Sequence, residues 1–405
     1  VRISTAELYQ QGIAAMNADQ AQIAQTQQQI SSGQMINVPS DNPVGATEIL
    51  QTSDSQSMNT QYAANQSTAQ NLLSQTDSTL SQVTSVLQNV RSTLVSANNG
   101  SLTASDRSSL ATTLQSQLSQ LVSLANTQDA QGTYLFAGYQ ASSPPFTQTA
   151  TGATYNSDDG VRTIQVSSST KMPVAANGDQ VFQRIRSGNG VFATGAALTN
   201  TGNASIDAGQ VTSPSSLTGD NYSIQFAVSG GQTTYTVTDT TTGQTVNAPA
   251  ASNSYTAGSA ISFDGMQVTV SGTPANGDSF SVDPSQNQSV FTSIQQAITA
   301  LQTSASSSNT GALGGLATSL QNIDQAMTQV STVQSGVGAN ENTLTSLGTI
   351  NSATNVQDTA AISSLQTTNL AQAATNLAQE ETGLSAAELT LTKVTGTDLF
   401  SYLPS

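Results

Sequence analysis

Apolar residues recur along this chain with two different periods, and the change between them divides it. In residues 1–31, Tyr9, Met16, Ile23 and Ile30 stand seven apart, with Ile13, Gln20 and Gln27 in the alternate slots. That spacing predicts a helix with a narrow, half-polar coiled-coil seam. Gly33, Pro39 and Pro43 break it, and Asp41 or Asn42 stands where an N-cap belongs, with Pro43 at the first helical position. A second helix is predicted from about 44 to 98, where Leu73, Leu80, Leu87 and Leu94 alternate with Thr76, Val83, Val90 and Ala97 in a 4-3 spacing. A third begins near Ser105-Asp106 and places Leu110, Leu114, Leu118, Leu121 and Ala125 on one face. The short link through Asn98-Asn99-Gly100 makes these two helices an antiparallel pair.

After Gly132 the helical period is lost. Pro144-Pro145, Asp158-Asp159-Gly160 and Asn177-Gly178 punctuate short segments such as Thr163 to Val166, a pattern of hairpins. Between about 190 and 285 the strand candidates are Tyr222 to Val228, Thr234 to Val237, Met266 to Val270 and Ser279 to Val282. Helical periodicity resumes near Ser289, breaks across the Ser-rich stretch Ser304 to Gly315, and returns as Leu316, Ile323, Val330, Val337 and Leu344. The last segment sets Leu370, Leu377, Leu384 and Leu391 seven apart. The fold class expected is mainly α with inserted β: a long antiparallel coiled coil or helical bundle formed by both chain ends, plus a central all-β domain. The expected domains are 1–43 with 345–405 (terminal), 44–189 with 286–344 (helical rod with β-hairpins), and 190–285 (β).

The stripes call for two kinds of partner. Leu73, Leu80, Leu87 and Leu94, with Leu316, Ile323, Val330, Val337 and Leu344, are expected to form the core of a bundle within one chain. The terminal stripes, Tyr9, Ile13, Met16, Ile23 and Ile30 at one end and Leu370, Leu377, Leu384 and Leu391 at the other, are too narrow to offset the entropy of ordering their helices alone. They are expected to form an assembly interface.

Composition narrows the chemistry. The 405 residues contain no His and no Cys, which removes the thiolate nucleophile, the imidazole base and the Cys/His zinc site. Twenty-four acidic against eight basic residues give a net charge of −16, the wrong sign for phosphates or anionic lipid, so neither nucleic acid nor membrane is expected as a partner. The N-terminal residues carry no apolar run of signal-peptide type, so export is expected to proceed without a cleaved signal. Asn156, Asp158 and Asp159 lack the Gly and distal Glu of a calcium loop and are expected to form a plain hairpin turn. Glu380 and Glu381 are adjacent on a helix and diverge by about 100°, so both are expected to face solvent rather than act as an acid-base pair. No catalytic residue, cofactor or metal is expected.

Several segments together resemble the flagellin superfamily of flagellar axial proteins. They are Arg2-Ile3-Ser4-Thr5 with Tyr9, Ser32-Gly33 followed by Val38-Pro39-Ser40-Asp41-Asn42-Pro43, Tyr134-Leu135-Phe136-Ala137-Gly138-Tyr139 with Pro145-Phe146, Val337-Gly338-Ala339-Asn340, and the closing Asp398-Leu399-Phe400-Ser401-Tyr402-Leu403. The likeness covers roughly 1–185 and 287–403. Pro39, Pro43 and the Phe136-Ala137-Gly138 signature favour the superfamily's hook-associated junction branch over flagellin proper. Asn340 departs from it, standing where the family often has Arg, and Val1 stands where an initiator Met is expected.

The resemblance implies a structural, non-enzymatic subunit outside the cell, at the junction of hook and filament. It implies terminal helices lining an inner tube, a rod-like outer layer and an outward-facing β insert. It adds Leu399, Phe400 and Leu403 to the assembly interface. Its partners would be further copies in a ring, the adjoining hook-associated protein, flagellin, and an export chaperone at the C-terminal helix. A flagellin-type filament subunit and a scaffold displaying a ligand-binding β insert remain as alternatives.

Overall fold

In a computed structural model the chain is described over residues 5–99, 101–197, 199–246, 253–306 and 311–396. Three helices come first: α1 (Thr5–Ser32), α2 (Pro43–Ala97) and α3 (Ala104–Ala125). Of the two cap candidates before α2, Asn42 takes the role, its Oδ1 accepting the Gly45 N–H at 3.0 Å with Pro43 at the first helical position. Thr103 and Asp106 form a reciprocal capping box at the start of α3. The inward face of α3 is the one expected at four of its five positions. Leu110 is half-buried, and Arg107 and Ala111 lie inside with Leu114, Leu118, Leu121 and Ala125.

Two hairpins follow, β1 (Phe146–Thr149) with β2 (Gly152–Tyr155), and β3 (Thr163–Gln165) with β4 (Lys171–Pro173). The acidic run Asp158-Asp159 is therefore not a hairpin turn. It links two separate hairpins, because β2 and β3 pair with β1 and β4 rather than with each other. A short helix α4 (Gly178–Phe182) leads to β5 (Ile185–Arg186), which pairs with β14 (Asn287–Gln288) and closes the base of the insert.

Inside that base lie β6 (Phe192–Ala196), β7 (Ser205–Ile206), β8 (Gln210–Val211), β9 (Tyr222–Ser229), β10 (Gln232–Asp239), β11 (Ala260–Phe263), β12 (Met266–Ser271) and β13 (Ser279–Pro284). One sheet has the order β10-β9-β13-β6 and the other β11-β12-β7, with β8 also on β12. Alternate residues of β9 and β12 point inward, and Tyr222, Ile224, Phe226, Val268, Val270 and Phe280 meet in one core. Gly230-Gly231 and Asp264-Gly265 all have positive φ and close two-residue hairpins between β9 and β10 and between β11 and β12.

The chain continues in α5 (Val290–Ser306), α6 (Gly311–Gln366) and α7 (Leu370–Gly396). The break expected across Ser304 to Gly315 is narrower, since helix extends to Ser306 and begins again at Gly311. Gly315 lies within α6 rather than in a loop. By internal contacts the chain forms two compact units, 1–64 with 347–405, and 65–346. The second holds the hairpins, the insert and the buried stripes of α2 and α6.

Candidate assembly interface

Within the first unit, α1 and α7 pack antiparallel. Gly12 lies against Leu391 near one end of the pair, and Gln34 forms an antiparallel bridge with Thr367 at the other. The bridge fastens two chain breaks together, as Met35 N–H donates to the Gln366 carbonyl at 2.7 Å and Thr368 N–H to that of Gly33 at 3.0 Å. Gly33 turns the chain with φ of 71°. Asp41, the unused cap candidate, instead accepts the N–H groups of Asn37 and Val38 at 2.9 and 3.0 Å and the Gln25 amide at 3.2 Å. The Pro39-to-Pro43 segment is thus a built corner.

The stripe residues on these two helices are only partly covered. Tyr9 and Ile13 are 46% and 38% exposed, Leu370 is 53% exposed, and Met16, Ile23, Ile30, Leu377, Leu384 and Leu391 are half-buried. Among the described side chains of α1 and α7, Thr26 and Ala373 alone are buried. Leu399, Phe400 and Leu403 lie outside the described residues. Glu381 faces solvent, but Glu380 does not fully do so: it is half-buried, with Oε2 enclosed and without a hydrogen-bond partner.

The stripes on α2 and α6 are closed by contrast. Leu73, Leu80, Leu87, Leu94, Leu316, Ile323, Val330, Val337 and Leu344 are all at most 6% exposed. Continued in the same register from Leu73 toward the start of α2 and from Leu344 onward along α6, both stripes turn polar. Gln66 and Asn59 follow Leu73 on α2, and Asn351 and Asp358 follow Leu344 on α6. There Asp358 accepts hydrogen bonds from Ser55 and Asn59 at 3.1 and 3.2 Å, and Asn351 donates to the Asn59 carbonyl at 2.8 Å. Large apolar side chains on these stretches, Val44, Leu50, Met58, Ile350 and Val356, are left 53–77% exposed.

The second unit is fixed around the aromatic signature. Leu135, Phe136 and Ala137 are fully buried, with the Phe136, Phe146 and Phe291 rings 5.3–5.5 Å from Phe182. Asp158 latches the loop after them, accepting the N–H groups of Tyr139, Gln140 and Gly160 at 2.7–3.1 Å. The Tyr139 N–H above all, then those of Gly160 and Gln140, hold the Asp158 carboxyl below its usual range against partial burial. Tyr155 donates to the Asp158 carbonyl at 2.7 Å, and burial pushes its phenol up to about 12. Asn65 and Gln66 on α2 donate to the Gln165 and Val166 carbonyls, each at 2.8 Å, and dock the second hairpin.

Among the described residues no three carboxylates converge as a metal site, and no helix is long and apolar enough to cross a membrane.

The solved flagellar junction protein FlgL of Legionella pneumophila is 33% identical and superposes with a TM-score of 0.71, covering 79% of this chain and 100% of that one. The chain belongs to the FlgL family. FlgL of Xanthomonas campestris is 28% identical with a TM-score of 0.70, over 77% of this chain and 99% of its own. "Flagellar hook-associated protein 3" of Salmonella typhimurium is 39% identical over 187 residues, which is 46% of this chain and 58% of that relative's length. The family described as "Bacterial flagellin N-terminal helical region" matches residues 3–141, and that described as "Flagellar hook-associated protein 1, D2-like domain" matches 196–284. The β insert, read above without a family, therefore has one.

Proposed function

We propose that this chain is a non-enzymatic structural subunit joining the hook region to the filament of a bacterial flagellum, assembled as a ring through its terminal helices. The observation that carries the reading is the contrast in burial. The same heptad chemistry is sealed at Leu87 of α2 and Ile323 of α6 but half open at Met16, Ile23, Leu377 and Leu384. Further copies of the chain would cover the open stripes, Tyr9, Ile13, Met16, Ile23, Ile30, Leu370, Leu377, Leu384 and Leu391, together with Leu399, Phe400 and Leu403. Amide and hydroxyl side chains, abundant throughout the sequence, enter such contacts at a smaller desolvation cost than charges.

In this reading the terminal helices form a coiled coil lining an inner tube, the rod surrounds it, and residues 190–285 face outward. The adjoining hook-associated protein and flagellin are the neighbours along the axis, and a chaperone holds the C-terminal helix before assembly. Electron microscopy of a deletion strain tests the reading. Hooks without filaments, with unpolymerised flagellin in the medium, support it; hooks that still carry filaments overturn it, and loss of the filament subunit itself would point to a flagellin-type role.

A further inference from the structure

The root of the β insert is gripped by one face of α6. Asn322 is 1% exposed, and its Oδ1 accepts the buried Gly188 N–H at 2.9 Å. One turn earlier, Thr318 donates to the Thr194 carbonyl at 3.0 Å. About one turn later, Gln325 lies beside Gly190, its Oε1 3.5 Å from where a Cβ would stand. Positions 318, 322 and 325 share a helix face, so they present a ladder to residues 188–194. On the other side of the root, Ser187 N–H donates to the Gln286 carbonyl at 2.9 Å, Gln286 N–H to the Ser187 hydroxyl at 3.0 Å, and the Ser285 hydroxyl to the Ser187 carbonyl at 2.8 Å.

A buried amide between the apolar positions of α6 is costly unless it is paired. Gly188 supplies the pairing and has little freedom to change: its φ is 65°, and a Cβ there would collide with the Phe192 carbonyl oxygen. Asn322 and Thr318 both bond to the insert's backbone rather than to its side chains. From this we infer that Thr318 and Asn322 form a socket on α6 that fixes the attitude of the insert on the rod whatever the insert's own side chains are. The insert is then a rigid, exchangeable arm. The match of residues 196–284 to a domain described for hook-associated protein 1 supports exchangeability.

The absence of cysteine allows clean spin labelling of the full chain. Labels at Ser85→Cys on α2 and Gln232→Cys at the tip of the insert are both at exposed positions. Pulsed electron resonance should give a narrow distance distribution in the parent, a broad one in Asn322→Ala, and an intermediate one in Thr318→Val. Faster amide exchange at Gly188 should accompany the broadening. Equal widths in parent and variants overturn the socket, as does a parent distribution already broad. If Asn322→Ala does not fold, the width in Thr318→Val decides by the same reading.

Discussion

Leu391 on α7 lies over Gly12 on α1, so close that a Cβ on residue 12 would stand 3.1 Å from the leucine Cδ1. The leucine end is flexible and can yield to alanine, but a β-branched side chain needs more room. Gly12→Val should therefore loosen the α1–α7 pair and leave the 65–346 unit unchanged. Hydrogen exchange resolved by segment checks this: faster exchange across α1 and α7 with the buried stripe of α2 unaffected is expected, and unchanged exchange in both terminal helices counts against the contact.

The Asp158 latch carries a pH dependence of definite sign. Its folded carboxyl is held below the ordinary carboxylate range, chiefly by the Tyr139 N–H, so the unfolded chain binds this proton more readily. The stabilisation is complete above the unfolded value and is lost as pH falls through the lowered folded one. Asp158→Asn should lower the melting temperature at neutral pH, and the difference from the parent should shrink on acidification. A difference that stays constant down to strongly acid pH would rule out the latch as its source.

What can be read before folding depends on the kind of signal. The helices of 55 and 56 residues are legible because Leu73 to Leu94 and Leu316 to Leu344 repeat without interruption. The strands β9, β10, β12 and β13 are legible from β-branched and aromatic runs. The strand β11 escapes notice although Asp264-Gly265 follows it, since Ala260 to Phe263 is only four residues long. The roles of Asp158 and Asn322 are illegible for a different reason: they satisfy the backbone N–H groups of Tyr139 and Gly188, far away in sequence, which only the folded chain brings near. A lone Asp or Asn in a chain rich in polar residues gives no periodic mark.

At the alkaline end the insert supplies its own marker. Burial is the largest cause pushing the Tyr222 phenol up to about 12, and its hydroxyl donates to Asp264 at 2.9 Å. A raised folded value means that the stabilisation is fully present below the ordinary tyrosine value of about 10 and is lost as pH rises through about 12. Tyr222→Phe should remove part of this alkaline loss while lowering stability at neutral pH, where the Asp264 and Thr218 partners lose their bond. Absorbance titration of the phenols beside melting curves checks both halves. An unaltered alkaline midpoint in the variant would show that another group governs it.

Leu87 and Leu384 are both heptad leucines, yet Leu87 is 1% exposed on α2 whereas Leu384 is half-buried on α7. Replacing Leu87 with Asp places an unpaired charge in a closed core and should cost the monomer at least about 3 kcal/mol. Leu384→Asp leaves its carboxylate in reach of water, so the 65–346 unit should change by no more than about 0.5 kcal/mol. The same variant should fail to enter the assembly, because a neighbouring copy would have to bury that charge without a partner. Melting curves of the purified variants, set beside filament counts on complemented cells, separate the two effects. Equal loss of monomer stability in both would mean that α7 is already sealed within one chain, and the open-stripe mechanism of assembly would have to be given up.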